Sequence, residues 1–171
     1  MRTVRIVSRI SCYLTSVLAI GYFASFTHLL VAISFKTAAL HVVNDGARFE
    51  VFYPFTTKPF LLGYYNSGYI TMMLLIIGLY AVFFYLLSNV FSIFSQKKLF
   101  TQKGITHLKR FYISNLTVPT LAVILLSFTS TVESPAEGMV ALHALLGIFT
   151  YFLAAIFRQG VNLQNEQDLI I

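Results

Sequence analysis

Charged residues are scarce in this chain: they make up 11% of its 171 residues, against 57% that are hydrophobic. A soluble domain of this length needs a polar surface, and so few charges cannot build one. The mean hydropathy of +0.78 points the same way. Composition therefore excludes an ordinary soluble domain and predicts an integral membrane protein.

The chain also lacks the usual signs of covalent or catalytic chemistry. Its single cysteine, Cys12, excludes an intrachain disulfide. It has no G-x-S-x-G, no H-E-x-x-H and no glycine-rich phosphate loop. We therefore predict a protein that is not an enzyme, and we expect no cofactor.

What the chain has instead is four long apolar blocks. About 20 apolar residues in a helix cross the ~30 Å of hydrocarbon in a bilayer. All four blocks reach this length, so the predicted fold is all-α, a four-helix transmembrane bundle formed by one domain, residues 1–171. The predicted spans cover approximately residues 10–35, 69–95, 111–132 and 138–158. The intervening segments are an external loop at 36–68, a cytoplasmic loop at 96–110 and a cytoplasmic tail at 159–171.

Basic residues set the orientation of these spans. Nine of the twelve lysines and arginines fall on the side that holds both termini and the loop 96–110. The positive-inside rule therefore predicts that both termini are cytoplasmic. Because the basic residues stand beside apolar blocks, the net charge of +6 indicates membrane topology, and no direct nucleic-acid partner is predicted.

The first external loop carries a hairpin signal. Asp45 and Gly46 stand between a β-branched pair and an alternating stretch, the pattern of a two-residue hairpin turn. Pairing about this turn sets Val43 opposite Arg48 and His41 opposite Glu50. We predict a small extracytoplasmic β-hairpin between spans one and two, and assign residues 60–68 to an aromatic belt at the membrane interface.

Two helix ends are also predicted. Thr101 is the expected N-cap of a helix that begins at Gln102 and continues into span three, where Asn115 must face protein and not lipid. Gly160 is the expected C′ cap of span four, after which the polar tail leaves the helix.

Two histidines lie within the predicted spans. His28 shares a helical stripe with Gly21, Ser25 and Ala32, and His143 shares one with Gly147, Thr150 and Ala154. Small and polar residues at this spacing are typical of a face turned toward other helices. The main interpretation is that both histidines form interhelical hydrogen bonds. The alternative is a haem or metal site of a membrane redox protein, formed by His28 and His143 in one layer.

The C-terminal tail favours a binding function. Its apolar tip would prefer a groove on this protein or on a partner to water. The candidate partner-binding residues are Glu166, Asp168, Leu169 and Ile171 of the tail and Lys97, Lys98 and Lys103 of the cytoplasmic loop. A second alternative function is an oligomeric transporter component, although no Asp, Glu, Lys or Arg lies deep within a predicted span. The sequence leaves homo-oligomerisation open.

The same tail resembles a known family. The pattern I-F-x-x-G followed by V-x-L-Q-x-E-x-D-L and a final β-branched residue is similar to the C-terminus of domain of unknown function twenty-nine seventy-five. The matching residues are Ile156, Phe157, Gly160, Val161, Leu163, Gln164, Glu166, Asp168, Leu169 and Ile171. Phe100, Thr101, Leu108 and Lys109 resemble the family's F-T-x-x-N segment. The chain departs from the family at Gly104, where asparagine is usual, and at Ile170, where threonine is usual.

This resemblance implies a small four-span protein of the bacterial inner membrane, in contact with the lipid bilayer and without an established activity. It also implies a candidate partner, because some members are encoded beside small helix-turn-helix regulators. The expected function is therefore a non-enzymatic binding or regulatory protein that engages a cytoplasmic partner.

Overall fold

The computed structural model describes residues 2–128 and 135–168 of the chain. Four long helices and one small β-sheet lie within these residues. In chain order the elements are α1 (Arg2–Ser34), β1 (Leu40–Val43), β2 (Arg48–Phe52), β3 (Pro59–Tyr64), α2 (Ser67–Phe94), α3 (Gln102–Ser127) and α4 (Pro135–Asp168). All four described helices are long and apolar enough to cross a membrane, as the uncharged blocks predict.

Polar caps fix where two of these helices begin. The Asn66 side chain accepts a hydrogen bond from the Tyr69 N–H at 2.7 Å and starts α2. The Thr101 hydroxyl accepts one from the Gly104 N–H at 3.1 Å and starts α3 at Gln102. The predicted N-cap at Thr101 is therefore confirmed. Each cap satisfies a backbone donor that has no partner inside its helix.

The helices pack mainly in sequence order: α1 on α2, α2 on α3, and α3 on α4. Small residues are buried on both α1 and α2, and small side chains let neighbouring helix backbones approach closely. These buried residues are Ser8, Thr15 and Ala19 of α1 with Ala81 and Ser88 of α2. Each helix therefore packs on the next helix in the chain, and α2 contacts both α1 and α3.

Two separate apolar cores hold the structure together. One joins the C-terminal half of α2 to the start of α3 and the end of α4, around Ile93, Leu108 and Phe111. The other joins α1 and the start of α2 to the sheet, around Leu29 and Phe49. We call these two ends of the molecule the loop end and the sheet end.

The sheet contains the hairpin that the sequence predicts. Val43 pairs with Arg48 and His41 with Glu50, so the predicted register is confirmed. Asp45 and Gly46 have φ angles of 51° and 90°, as the two central residues of a type I′ turn require. The Ala47 N–H closes the turn onto the Asn44 carbonyl at 3.0 Å.

A third strand, β3, was not predicted. It pairs antiparallel with β2 and makes the sheet order β1-β2-β3. The prediction placed residues 60–68 in an interface belt because the uncharged block 60–96 is too long for one upright membrane-spanning helix. Leu61 pairs with Val51 and packs on the sheet-end core, and this tertiary contact makes the segment a strand.

The predicted end of span four at Gly160 was wrong. Helix α4 continues through Gly160 to Asp168, so the segment expected to leave as a tail is helical as far as the structure describes it. Gly160 has a packing role instead of a capping role. A Cβ at this position would lie 2.6 Å from the Phe100 ring, and only glycine leaves room for that ring.

Candidate functional site

The connection between α2 and α3 docks on α4 through an aromatic contact. The ring centroids of Phe100 and Phe157 lie 5.2 Å apart at an interplanar angle of 74°. Phe157 also meets Phe94 of α2 at 5.7 Å, and only 3% of its surface is exposed. Edge-to-face pairs of this kind fix relative orientation as well as burying area. The loop end is therefore an ordered, packed region in which α2, α3 and α4 meet.

Two glycines allow this close meeting. Gly160 lies under the Phe100 ring, and a Cβ at Gly104 would lie 3.1 Å from Ile93 Cγ2 and 3.4 Å from Phe157 Cδ1. The first turn of α3 therefore closes on α2 and α4 together. The asparagine usual in the resembled family at the position of Gly104 would have to displace these side chains here.

Sequence reasoning missed this contact, although both halves of it were visible. Phe100 and Thr101 belong to one segment of the family resemblance, and Phe157, Gly160 and Val161 belong to the other. The structure brings the two segments together, since Val161 also packs on the loop-end core. The available signal was that both segments belong to the family resemblance, which is consistent with a contact between them in the fold.

Beyond Val161, helix α4 extends past its packed part. The last seven described residues, 162–168, add about 10 Å of helix. Leu163 is 60% exposed, and Asn162, Asn165, Glu166 and Gln167 are exposed around it. An apolar side chain in a helix that has left its own core is an available contact for another molecule.

The predicted partner-binding residues are placed as follows. Lys97, Lys98 and Lys103 are exposed at the loop end, and Glu166 is exposed on the α4 extension. Within the described part of the chain, no ion pair links Glu166 to these lysines. The Asp168 side chain, Leu169 and Ile171 lie outside what the structure describes. Four of the seven candidates therefore share the loop end, and no ion pair with another described residue occupies their charges.

A buried polar pair lies between α3 and α4. Asn115 is 4% exposed, as predicted for a residue that faces protein, and its Oδ1 lies 2.8 Å from His143 Nδ1. The Asn115 Nδ2 donates to the Phe111 carbonyl at 2.8 Å, which requires that Oδ1 faces the histidine. Because that oxygen only accepts, His143 Nδ1 carries a proton and donates it to Asn115 Oδ1.

The stripe that carries His143 faces α3. A Cβ at Gly147 would lie 2.7 Å from Leu116 Cγ, and Thr150 and Ala154 are buried. The stripe on α1 is packed only near its end. Ala32 is buried, whereas no atom of the described residues would lie within 4 Å of a Cβ at Gly21. The helix-facing prediction therefore does not hold for Gly21 within this chain.

The two histidines make separate hydrogen bonds. His28 Nε2 donates to the Phe52 carbonyl at the end of β2 at 2.8 Å, and its ring lies 6.2 Å from Phe60. The His143 ring lies 6.3 Å from Tyr80, which in turn meets Tyr22 of α1 at 5.7 Å. His28 is six residues beyond Tyr22, or about 9 Å farther along α1.

His143 therefore makes a hydrogen bond between two helices, and His28 makes one from a helix to the sheet. The site formed by both histidines stays a prediction. Each imidazole already uses one ring nitrogen on a protein oxygen. Among the described residues, no group of three or more His, Cys, Asp or Glu side chains could hold a metal ion.

Comparison with known families assigns the chain to a family. A family model described as "Protein of unknown function (DUF2975)" matches residues 1–171, the whole chain, and the protein belongs to this family. No curated protein and no solved structure matches the chain. The protein is therefore a four-helix member of a family of unknown function, with helices able to span a membrane.

Proposed function

We propose that the protein is a non-enzymatic, multi-pass protein of the bacterial inner membrane that binds a cytoplasmic protein at its loop end. The observation that carries the proposal is the α4 extension. Helix α4 runs about 10 Å past Val161 and exposes Leu163 next to a basic loop. Five of the six residues 162–167 are exposed, and so short a stretch of helix is not stable without tertiary packing, so a contact that covers Leu163 would stabilise it.

The charges at this end support a cytoplasmic location and suggest the character of the partner. Lys97, Lys98 and Lys103 are exposed, and the basic residues near span ends favour a cytoplasmic loop end by the positive-inside rule. A partner with an acidic surface and an apolar groove would match the lysines and Leu163. A helix-turn-helix regulator is the candidate that the family resemblance suggests, through contact with the protein and not through nucleic acid.

The Phe100 contact explains how such a surface could be held in place. Phe100 fixes the basic connection against α4, so that the lysines and the α4 extension keep one relative position. A binding surface made from two chain segments gains affinity when both are already ordered. A regulatory role would follow if the partner is held at the membrane by this contact.

The first experiment compares the full-length protein with a chain that ends at Val161, the last α4 residue packed on the loop-end core. Both are affinity-purified from native membranes in mild detergent, and the proteins that accompany each are identified. We expect a protein that accompanies only the full-length chain. Identical companions for two equally stable proteins would contradict the proposal.

A point variant tests the contact without truncation. Leu163→Ala removes the exposed side chain, and Leu142→Ala is the matched control because Leu142 is 62% exposed on the same helix, in the predicted span. We expect loss of the partner with Leu163→Ala and retention with Leu142→Ala. Retention of the partner should also weaken as salt is raised, since exposed charges are screened.

A further inference from the structure

The connection between β2 and β3, residues 53–58, starts from a strand end that is bonded to α1. It follows Phe52, whose carbonyl accepts the hydrogen bond from His28 Nε2 at 2.8 Å. His28 stands six residues before Ser34, the last residue of α1, which is about 9 Å along the helix axis. Helical side chains lean toward the N-terminus, so the His28 ring points still farther from the end of α1.

The direction of the sheet agrees with this placement. At the opposite end of β2, the Tyr65 N–H donates to the Ala47 carbonyl at 3.0 Å, immediately before α2 begins at Ser67. Strand β2 therefore runs from the start of α2 back along the helices toward His28. Its five residues span about 13 Å. The connection that follows therefore starts near the level of His28.

This depth lies within the apolar part of α1. The uncharged block of α1 continues past His28 to Phe35, and Lys36 is the first charged residue beyond it. The connection therefore leaves the sheet at a level where α1 presents only uncharged side chains. A segment at this level, outside the helices, meets the boundary between lipid headgroups and acyl chains.

The connection has the composition of a membrane-interface anchor. Its sequence is Tyr-Pro-Phe-Thr-Thr-Lys. Phe55 is fully exposed and has a φ of 62°, a conformation that a phenylalanine rarely adopts. Aromatic rings with a nearby lysine are typical of the membrane interface, where the ring enters the apolar region and the ammonium reaches the phosphates.

The backbone of the connection is largely satisfied from within, as a segment that enters lipid requires. The Tyr53 N–H donates to the Lys58 carbonyl at 3.0 Å, and the Thr56 N–H donates to the Tyr53 carbonyl at 3.1 Å. The Lys58 N–H donates to the Thr56 hydroxyl at 3.3 Å, and Pro54 has no N–H. Tyr53 packs on Phe60 at 4.8 Å, which fixes the base of the connection.

We propose that residues 53–58 insert the Phe55 ring into the bilayer leaflet at the sheet end, with Lys58 directed to the lipid phosphates. The sheet is then a second, non-helical attachment of the protein to the membrane. Lipid is the occupant that the geometry favours, because Phe55 points outward at the depth of an apolar helix segment. The proposal does not depend on a partner at the loop end.

The chain has no tryptophan, so one substitution creates a unique fluorescent probe. Phe55→Trp is compared with Tyr64→Trp, at the far end of β3, where the parent side chain is 55% exposed. Each protein is reconstituted into vesicles of phosphatidylcholine and phosphatidylglycerol, some with brominated acyl chains. We expect Phe55→Trp to emit at shorter wavelength and to lose its emission to bromolipid. Tyr64→Trp should lose its emission to aqueous iodide.

Two results would overturn the proposal. Quenching of Phe55→Trp by iodide to the same extent as Tyr64→Trp would place the ring in water. Protection from both quenchers would place it against protein, such as a second copy of the chain. If Phe55→Trp does not fold, Phe55→Cys and Tyr64→Cys are made in a Cys12→Ser background. The rate at which a water-soluble maleimide labels each cysteine is then measured in permeabilised vesicles. Slower labelling at position 55 supports insertion, and equal rates contradict it.

Discussion

Replacing Gly160 with alanine should destabilise the loop end, although the same change usually stabilises a helix. The added Cβ would lie 2.6 Å from Cγ and Cδ1 of Phe100 and 2.8 Å from Cδ2. Cγ lies on the axis about which the ring turns, so turning the ring in place cannot relieve the contact. The ring is also held by Phe157 at 5.2 Å. The Phe100 backbone, or helix α4 itself, must shift.

Two terms of opposite sign decide the magnitude. Alanine favours a helix interior over glycine by ~1 kcal/mol. Overpacking a tight contact costs ~1–3 kcal/mol. Gly21→Ala is the matched control because Gly21 lies inside α1 with no described atom within 4 Å of an added Cβ. The propensity gain is common to both variants, so Gly160→Ala should be less stable than Gly21→Ala by ~1–3 kcal/mol.

The assay is unfolding in mild detergent, followed by far-ultraviolet circular dichroism during a titration with sodium dodecyl sulfate. A double variant tests the cause. In a Phe100→Ala background the ring is gone, so Gly160→Ala should become as harmless as Gly21→Ala. If the two glycine variants already have equal stability in the wild-type background, Gly160 does not accommodate the Phe100 ring and the reasoning is refuted.

Two further predictions concern hydrogen bonds. Asn115→Leu should lower the free energy of unfolding by ~1–3 kcal/mol, because it leaves the His143 Nδ1–H buried without an acceptor. The double variant Asn115→Leu with His143→Leu should be nearly as stable as the wild type. A double variant as unstable as the single one in the same titration would contradict this. Thr101→Ala should lower the free energy of unfolding by ~1 kcal/mol, because the Gly104 N–H loses its capping acceptor. Thr101→Ser keeps the hydroxyl and should retain most of this stability. Equal stability of the two variants would mean that the cap contributes nothing.

Local patterns predicted the elements whose causes are local. The four helices follow from apolar runs, the α3 start follows from the Thr101 hydroxyl, and the hairpin register follows from Asp45-Gly46. A turn with two positive φ angles leaves only one way for the flanking residues to pair. In each of these cases the deciding contacts lie within a few residues of one another.

The features that were missed depend on distant contacts. Strand β3 is set by its pairing with β2 and by the core under the sheet, and α4 passes Gly160 because a ring from residue 100 fills the space above it. A glycine near the end of an apolar run reads as a helix cap when its neighbours are unknown. The partners of the two histidines are likewise distant in sequence, since His28 bonds to the end of β2 and His143 bonds to α3.

The two proposed contacts should act independently, because the two apolar cores have no residue in common. The loop-end core contains Phe157 and Val161, and the sheet-end core contains Leu29 and Phe49. Well-separated changes usually add to within ~0.3–0.5 kcal/mol. A protein with both Leu163→Ala and Phe55→Trp should therefore show the lipid quenching of one variant and the partner loss of the other, each unaltered. If Leu163→Ala changed the quenching at position 55, the coupling would have to pass through side-chain contacts between the helices. Tyr80, which contacts both Tyr22 and His143, is the residue whose replacement by leucine would then abolish it.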